Sequence, residues 1–338
     1  MSELEILEQE LLKPSEALIK DMCEIEGDIL LLGVGGKMGP SMARLARQAA
    51  NMAGIQKRII GVSRFSDTKV QAELESHGIE TCSADLLNEE ELQRLPDASN
   101  VLYLAGTKFG TTGKEPFTWA MNAYLPGRVA ERYKNARIVA FSTGNVYPFT
   151  SVNSGGPSED HPVGPIGEYG QSCLGRERIF QYFSARYNIP TLIYRLNYAI
   201  DLRYGVLLEI ARSVEAHKPI DLTTGVVNVI WQGDANEIAI RALKHCAVPA
   251  KILNVTGPET ISIRWLAIQF GLLLGKEPVF INEAQSTALL NNASEAHRLF
   301  GYPRVTLRQM IEMTAAWLKG GGATVNKPTH FQERTGQF

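Results

Sequence analysis

Residues 28–39 read DILLLGVGGKMG, and this stretch, from Asp28 to Gly39, decides the architecture of the chain. Ile29, Leu30, Leu31, Leu32 and Val34 form a short apolar run, the pattern of a strand buried on both faces of a parallel sheet. Gly33, Gly36 and Gly39 follow at intervals of three. Met42, Ala43, Leu45, Ala46 and Ala49 then recur at helical spacing. A strand that turns through glycines into a helix gathers backbone N–H groups and the positive end of the helix dipole at one point, and that point suits a pyrophosphate. Gly33 permits the tight turn, Gly36 lets a phosphate approach the backbone, and Gly39 lets helix pack against strand. The spacing is GxxGxxG and not GxGxxG, because Met38 stands where the latter pattern wants glycine. Pro40 is compatible with a first helical turn, where its missing N–H is not needed. The alternative, an ordinary βα turn, is disfavoured by the strand before and the helix after.

Outward from this turn, strand and helix patterns alternate. Arg58 to Val62 reads as a second strand and Ser66 to His77 as a helix. Ile79 to Cys82 is a third strand, and Asn88 caps a helix that opens with Glu89, Glu90 and Glu91. Asn100 to Ala105 is a fourth strand, Glu115 to Tyr133 a long helix, and Arg137 to Phe141 a fifth strand. A stretch rich in Gly, Ser and Pro spans Pro148 to Pro165 and reads as an ordered active-site loop. Glu168 to Tyr187 is helical and Thr191 to Leu196 is a strand. Arg203 to His217 and Asp234 to His245 are helices, with short β pieces between Ile220 and Trp231. Ile252 to Val255 is the last strand of the sheet. Helices at Ser262 to Gly271 and Leu307 to Leu318 close the chain.

This order predicts an α/β protein, a Rossmann-type doubly wound parallel sheet with right-handed crossovers and a smaller C-terminal α+β lobe. The domain reading is a helical extension over 1–25, a nucleotide-binding domain over 26–200 to which 233–256 returns, and a substrate lobe from 201–232 and 257–320. Residues 321–338, opening with Gly320-Gly321-Gly322, read as a flexible tail.

The chain holds 34 Lys and Arg against 36 Asp and Glu. That near balance leaves no basic footprint for nucleic acid or for an acidic membrane surface. No apolar run approaches bilayer-spanning length. The amphipathic, acidic MSELEILEQELL is unlike a signal or transit peptide, so a cytoplasmic location is expected. Cys23, Cys82, Cys173 and Cys246 are scattered, with no metal-ligand spacing. Reduced thiols are the reading, with neither disulfide nor zinc.

The end of the second strand bears on cofactor choice. A chain selecting NAD commonly places an acidic residue there to meet the ribose 2′-hydroxyl. Here stand Ser63 and Arg64, with Lys37 inside the glycine turn, a set that suits a 2′-phosphate and places NADP ahead of NAD. The alternative is that Arg64 stacks on adenine whichever nucleotide binds.

The ordered set GVGGKMG, Ala84-Asp85-Leu86, Tyr103 to Gly106 (YLAG), Asn122, FSTGNVYP from Phe141, EYGQS from Glu168, NVTGPETIS from Asn254 and LFGYP from Leu299 resembles the extended short-chain dehydrogenase/reductase superfamily of nucleotide-sugar epimerases and dehydratases. The resemblance implies a nicotinamide cofactor held by Gly33, Gly36, Lys37, Met38, Gly39, Ser63, Arg64, Asp85, Leu86, Ala105, Gly106, Asn122 and Tyr169. It implies that Thr143, or Ser142 beside it, hydrogen-bonds a substrate oxygen while Tyr169 exchanges a proton with it. The chain departs from the family's Tyr-x-x-x-Lys pattern, since Cys173 stands where the lysine belongs. Arg176, Lys108 or Lys114 are the cations within reach of that role. Lys108, Arg195, Asn197, Tyr198 and Arg203 are the expected substrate contacts, for a sugar or sugar acid. The implied function is oxidoreduction, epimerisation or dehydration of a sugar-like substrate by a homodimer. A non-catalytic cofactor-binding sensor is the alternative that Cys173 raises.

Overall fold

The computed structural model describes residues 12–108, 110, 112–325 and 328–337. The expected helix at the start of the chain therefore lies partly outside the described residues. Its described part is α1 (Glu16–Glu24), which begins after Pro14, with the Ser15 side chain accepting from the Leu18 N–H.

Seven strands form one parallel sheet: β1 (Ile29–Leu32), β2 (Ile59–Ser63), β3 (Glu80–Ser83), β4 (Asn100–Tyr103), β5 (Arg137–Thr143), β6 (Thr191–Leu196) and β7 (Lys251–Val255). Their order across the sheet is β7-β6-β5-β4-β1-β2-β3, and every pairing is parallel. Strand order reverses between β1 and β4, the switch point where open α/β sheets leave a crevice beyond their carboxyl ends. This is the expected Rossmann-type doubly wound sheet.

Alternation along β1 explains the register. Ile29 and Leu31 enter one core, with α1, α2 (Gly39–Met52) and α9 (Gln232–Arg241). Leu30 and Leu32 enter the other, with α6 (Leu125–Arg132) and α7 (Gly167–Tyr187). A one-residue slip would exchange the two sets, but both faces are buried, so pairing with β2 and β4 and not hydropathy sets the register. The remaining helices on the sheet are α3 (Thr68–Ser76), α4 (Glu89–Arg94) and α5 (Glu115–Trp119).

The long helix expected over Glu115 to Tyr133 is continuous but irregular. Between α5 and α6 lies a π turn, Ala120–Tyr124. Pro126 has no N–H to return to the Asn122 carbonyl, and a widened turn accommodates that loss.

A separate core is built by α8 (Val206–Glu215), α10 (Ile263–Leu274) and α12 (Leu307–Lys319), with Trp231 and Phe331 in its interior. α11 (Ser294–Phe300) packs on β7. The expected flexible tail is corrected in part. Residues 328–337 lie against the body: Thr329 donates from N and Oγ1 to Glu209, Phe331 is buried, and Arg334 donates to Thr287. Among the described residues no helix is long and apolar enough to cross a membrane.

Candidate functional site

The glycine turn is shaped by close backbone approach. Gly33 has φ +90°, and a Cβ there would stand 2.8 Å from the Ala105 nitrogen. At Gly39 a Cβ would lie 2.1 Å from the Val34 carbonyl oxygen, so any side chain would push α2 off the strand. α2 starts at Met38 with no side-chain cap, which leaves its first N–H groups to an anion.

Two cavities open from this turn, and Gly33, Gly36 and Leu104 stand in the walls of both. One, of about 410 Å³, is lined by Ser63, Arg64, Asp85, Leu86, Ala105 and Gly106. The other, of about 270 Å³, is lined by Lys37, Lys108, Thr143, Tyr169, Asn197 and Tyr198. The residues present fit a dinucleotide, whose pyrophosphate would lie over the glycines, with one half toward each cavity. The cradle at Gly33, which any Cβ would fill, is the feature that matches the group.

Tyr169 lies in the first turn of α7, where it lines the same cavity as Thr143 and packs against the cluster that holds Cys173. Burial drives the phenol far above its ordinary acidity range, and Cys173 adds to that, while Arg176 and Thr143 draw it back. The Thr143 hydroxyl also accepts from the Asn145 N–H at 3.2 Å. Cys173 is fully buried beside Val146 and Tyr147, and burial raises its thiol.

Of the cations expected to stand in for the missing lysine, Lys108 reaches Tyr169, its Nζ 5.8 Å from the ring centroid. Arg176 is near in charge, but its guanidinium donates to the Phe141 carbonyl oxygen at 2.8 Å and to Asn122 Oδ1 at 2.6 Å. Lys114 is exposed and outside the cavity wall.

Several expected contacts are corrected. Ser142 does not share the role of Thr143: its hydroxyl donates to Glu177 Oε1 at 2.5 Å. Arg195 is buried and turned to the same carboxylate, donating from Nε at 2.9 Å and Nη2 at 2.6 Å, with Nη1 on Tyr147. A guanidinium paired in this bidentate way positions the ends of β5 and β6 instead of meeting a ligand. Arg203 lines a neighbouring cavity with Arg212 and Lys218. Lys37 does not turn toward Ser63 and Arg64. It donates to the Ala199 carbonyl oxygen at 3.1 Å and stands 3.7 Å from the Tyr204 ring centroid. Asn122, inside the π turn, grips the Thr107 N–H and carbonyl at 2.9 Å each and so fixes the loop after β4 instead of reaching the crevice. Asn197 donates to Asn228 at 2.8 Å while still standing in the cavity wall.

Sequence reasoning passed over Glu177, Tyr204 and Thr329. Glu177 had a signal, since it lies two helical turns past Tyr169 on α7. Tyr204 and Thr329 had none, because only the tertiary fold brings them to the cavity.

A profile of the NAD dependent epimerase/dehydratase family matches residues 29–223. No curated protein matches the chain. Among solved structures, UDP-glucuronic acid 4-epimerase from Bacillus cereus in complex with NAD is similar, with TM-score 0.69 and 20% identity over 87% of this chain and 99% of that one. UDP-glucose 4-epimerase from Thermotoga maritima with UDP-glucose gives TM-score 0.70 and 17% identity over the same shares. dTDP-glucose 4,6-dehydratase from Bacillus anthracis in complex with NAD gives 0.72 and 18% over 87% and 96%. With glycine cradle, switch-point crevice and family match in agreement, the chain belongs to the NAD dependent epimerase/dehydratase family, a family of nicotinamide-dependent enzymes.

Proposed function

We propose that the chain is an NAD(P)-dependent epimerase or reductase acting on a hydroxyl or carbonyl of a sugar-like substrate. The observation that carries this reading is that Tyr169 and Thr143 line one cavity, which shares its glycine wall with the nucleotide crevice. A nicotinamide group bound there would supply hydride exchange. The chain supplies a proton and a place for negative charge. Burial keeps the Tyr169 phenol protonated at neutral pH, so it donates to the oxygen of a carbonyl being reduced. In an epimerisation a hydroxyl is oxidised first. The phenol must then first lose its proton to solvent, after which it takes the proton of that hydroxyl and returns it to the carbonyl oxygen. Thr143 donates to that same oxygen and fixes its distance from the phenol. None of the described residues lining this cavity is Asp or Glu, so loss of a hydroxyl as water has no carboxylic acid to assist it. That favours epimerisation or reduction over dehydration.

Ser63 and Arg64 at the adenosine end support NADP ahead of NAD. Exposed Tyr124 in the π turn and Tyr182 on α7 support a homodimer. Four unpaired cysteines and near-neutral charge accord with a soluble cytoplasmic protein. The lobe of residues 201–232 and 257–320 is proposed to carry substrate contacts.

The test is to incubate the chain with nicotinamide nucleotides and a panel of sugars, following isomers by NMR and cofactor absorbance. Tyr169→Phe is expected to slow turnover by about 100-fold or more while nucleotide affinity holds. Equal rates would remove Tyr169 from the chemistry. A second reading, a cofactor-binding sensor, is favoured by Cys173 alone, and it predicts nucleotide binding with turnover of no panel member.

A further inference from the structure

Gly167 and Gly336 face each other across a gap that admits no side chain. Gly167 has φ +73° and Gly336 φ +82°, backbone values that favour glycine at both places. A Cβ on Gly167 would stand 2.3 Å from the Gly336 carbonyl oxygen, and one on Gly336 would stand 2.6 Å from the Gly167 Cα. Gly167 opens α7, two residues before Tyr169. On its other side the same segment meets the strand end that carries Thr143. Arg334 and Gly336 close a residual space of about 20 Å³ against Asn145 and Tyr147, and Asn145 donates its N–H to the Thr143 hydroxyl. Nearer the lobe, Thr329 lines the cavity of Thr143 and Tyr169 itself. We propose that residues 328–337 are a strap that positions Tyr169 and Thr143 and keeps water out of their cavity. The proposal rests on the oxidoreductive reading above for what these two side chains do, and on the contacts alone for where the strap lies.

The strap has two anchors of different kinds. Toward the lobe, Phe331 is buried in the core of α8, α10 and α12, and Thr329 donates from N and Oγ1 to Glu209 at 2.9 and 2.7 Å. Toward the site, Arg334 donates to the Thr287 carbonyl oxygen at 3.0 Å and to Thr287 Oγ1 at 2.7 Å. Its guanidinium also stacks 4.1 Å from the Phe149 ring centroid. Thr287 pairs with Ser151 at the base of the 148–165 loop, so the strap ties that loop to α7 as well. The competing account is a tail that serves only to fill the lobe core. Phe331 suffices for that, and such a tail needs neither the Arg334 anchor nor a pair of left-handed glycines further along. The first turn of α7 does need outside support. It begins after Ile166 with no side-chain cap, and an uncapped helix end frays unless something packs on it. Backbone laid on backbone at Gly336 supplies that support and leaves Tyr169 one position to occupy.

The experiment compares the full chain with Gly336→Val, which cannot make the close approach, and with Arg334→Ala, which loosens the same end without a backbone clash. In both, Phe331 keeps the lobe anchor, so the melting temperature is expected to hold. A glutamyl endopeptidase added without nucleotide cuts after Glu333 when this end lifts, and the intact mass reports the cut. Cleavage is expected to be at least about tenfold slower in the wild type than in either variant. With saturating NADPH, reduced nicotinamide shielded from water gains emission. That gain is expected to be at least about twofold smaller in the variants, while the NADPH Kd changes by less than about threefold. A segment that only stabilises the fold would lower the melting temperature and leave the emission alone. That result, or equal cleavage in all three proteins, would overturn the proposal. If the wild type binds no NADPH, the oxidoreductive reading fails, and the cleavage rates decide the strap by themselves.

Discussion

Tyr169 and Thr143 were legible because each occupies a place that local pattern defines, a helix start and a strand end. Ser142 and Arg195 were misread for a related reason. Strand-end position says that a side chain is near the crevice but not which way it bonds. Their shared partner, Glu177, is 35 residues from Ser142 and 18 from Arg195, a separation only the fold closes. The replacement of lysine by Cys173 was visible, and so were three candidate cations, but which of Arg176, Lys108 and Lys114 stands over Tyr169 was not, because that depends on how Asn122 and the π turn hold the loop after β4. For Lys37 and Lys108 each folded-state value of about 8 lies below the usual 10.5, so both amines are charged at pH 7 and lose their protons as pH passes 8. Facing Lys37 are Asp201, Tyr204 and Lys108, and facing Lys108 are Tyr169 and Cys173. Between about 8 and 10.5 the unfolded chain binds more protons than the folded one, so the cost of burying these amines is fully present below 8 and relieved as pH rises. Urea midpoints of the wild type and Lys37→Met between pH 7 and 10 check this: the wild type is expected to gain on the variant above pH 8, and parallel profiles would contradict a buried amine at Lys37.

Elements divide by whether their cause is local. β1, the glycine turn and α2 follow from hydrophobic pattern and glycine spacing, and the structure has them where the sequence put them. The tail shows the reverse. Gly320-Gly321-Gly322 and a polar sequence read as slack, yet Gly322 packs on the Trp317 indole and Trp317 Nε1 donates to the Ala323 carbonyl oxygen at 3.0 Å. Thr329 stands in the wall of the Lys37–Lys108 cavity, and a Cβ at Gly336 would meet the Gly167 Cα at 2.6 Å, two residues before Tyr169. Ending the chain at Lys327 removes Phe331 from the core of α8, α10 and α12, a loss of roughly 2 kcal/mol. The expected result is a lower urea midpoint, measured by fluorescence, with the far-ultraviolet spectrum kept. An unchanged midpoint would mean that the tail contributes nothing to the fold.

For the whole molecule, alternation of strand and helix was enough to set the sheet's parallel order and its crevice, because right-handed crossovers leave few other topologies. Assembly is expected only from resemblance, and the exposed Tyr124 and Tyr182 lie on elements that pack together after folding. Light scattering is expected to give a mass twice the 37.2 kDa of one chain, and Tyr182→Glu, on the exposed face of α7, is expected to shift it toward the monomer. A wild-type monomer at micromolar concentration would contradict the dimer.

Every role proposed for Tyr169 and Thr143 requires a dinucleotide lying across the glycine turn, and isothermal titration of NADH and NADPH into wild type and Gly36→Val measures that directly. A Cβ at Gly36 would stand 3.3 Å from the Gly33 carbonyl oxygen, a tight contact with the turn itself, and a branched side chain there fills the place of a phosphate. One site per chain is expected in the wild type and binding about 100-fold weaker or more in the variant, with the far-ultraviolet spectrum kept as the check that the variant folds. Absence of nucleotide binding in the wild type, or equal affinity in both, would contradict it.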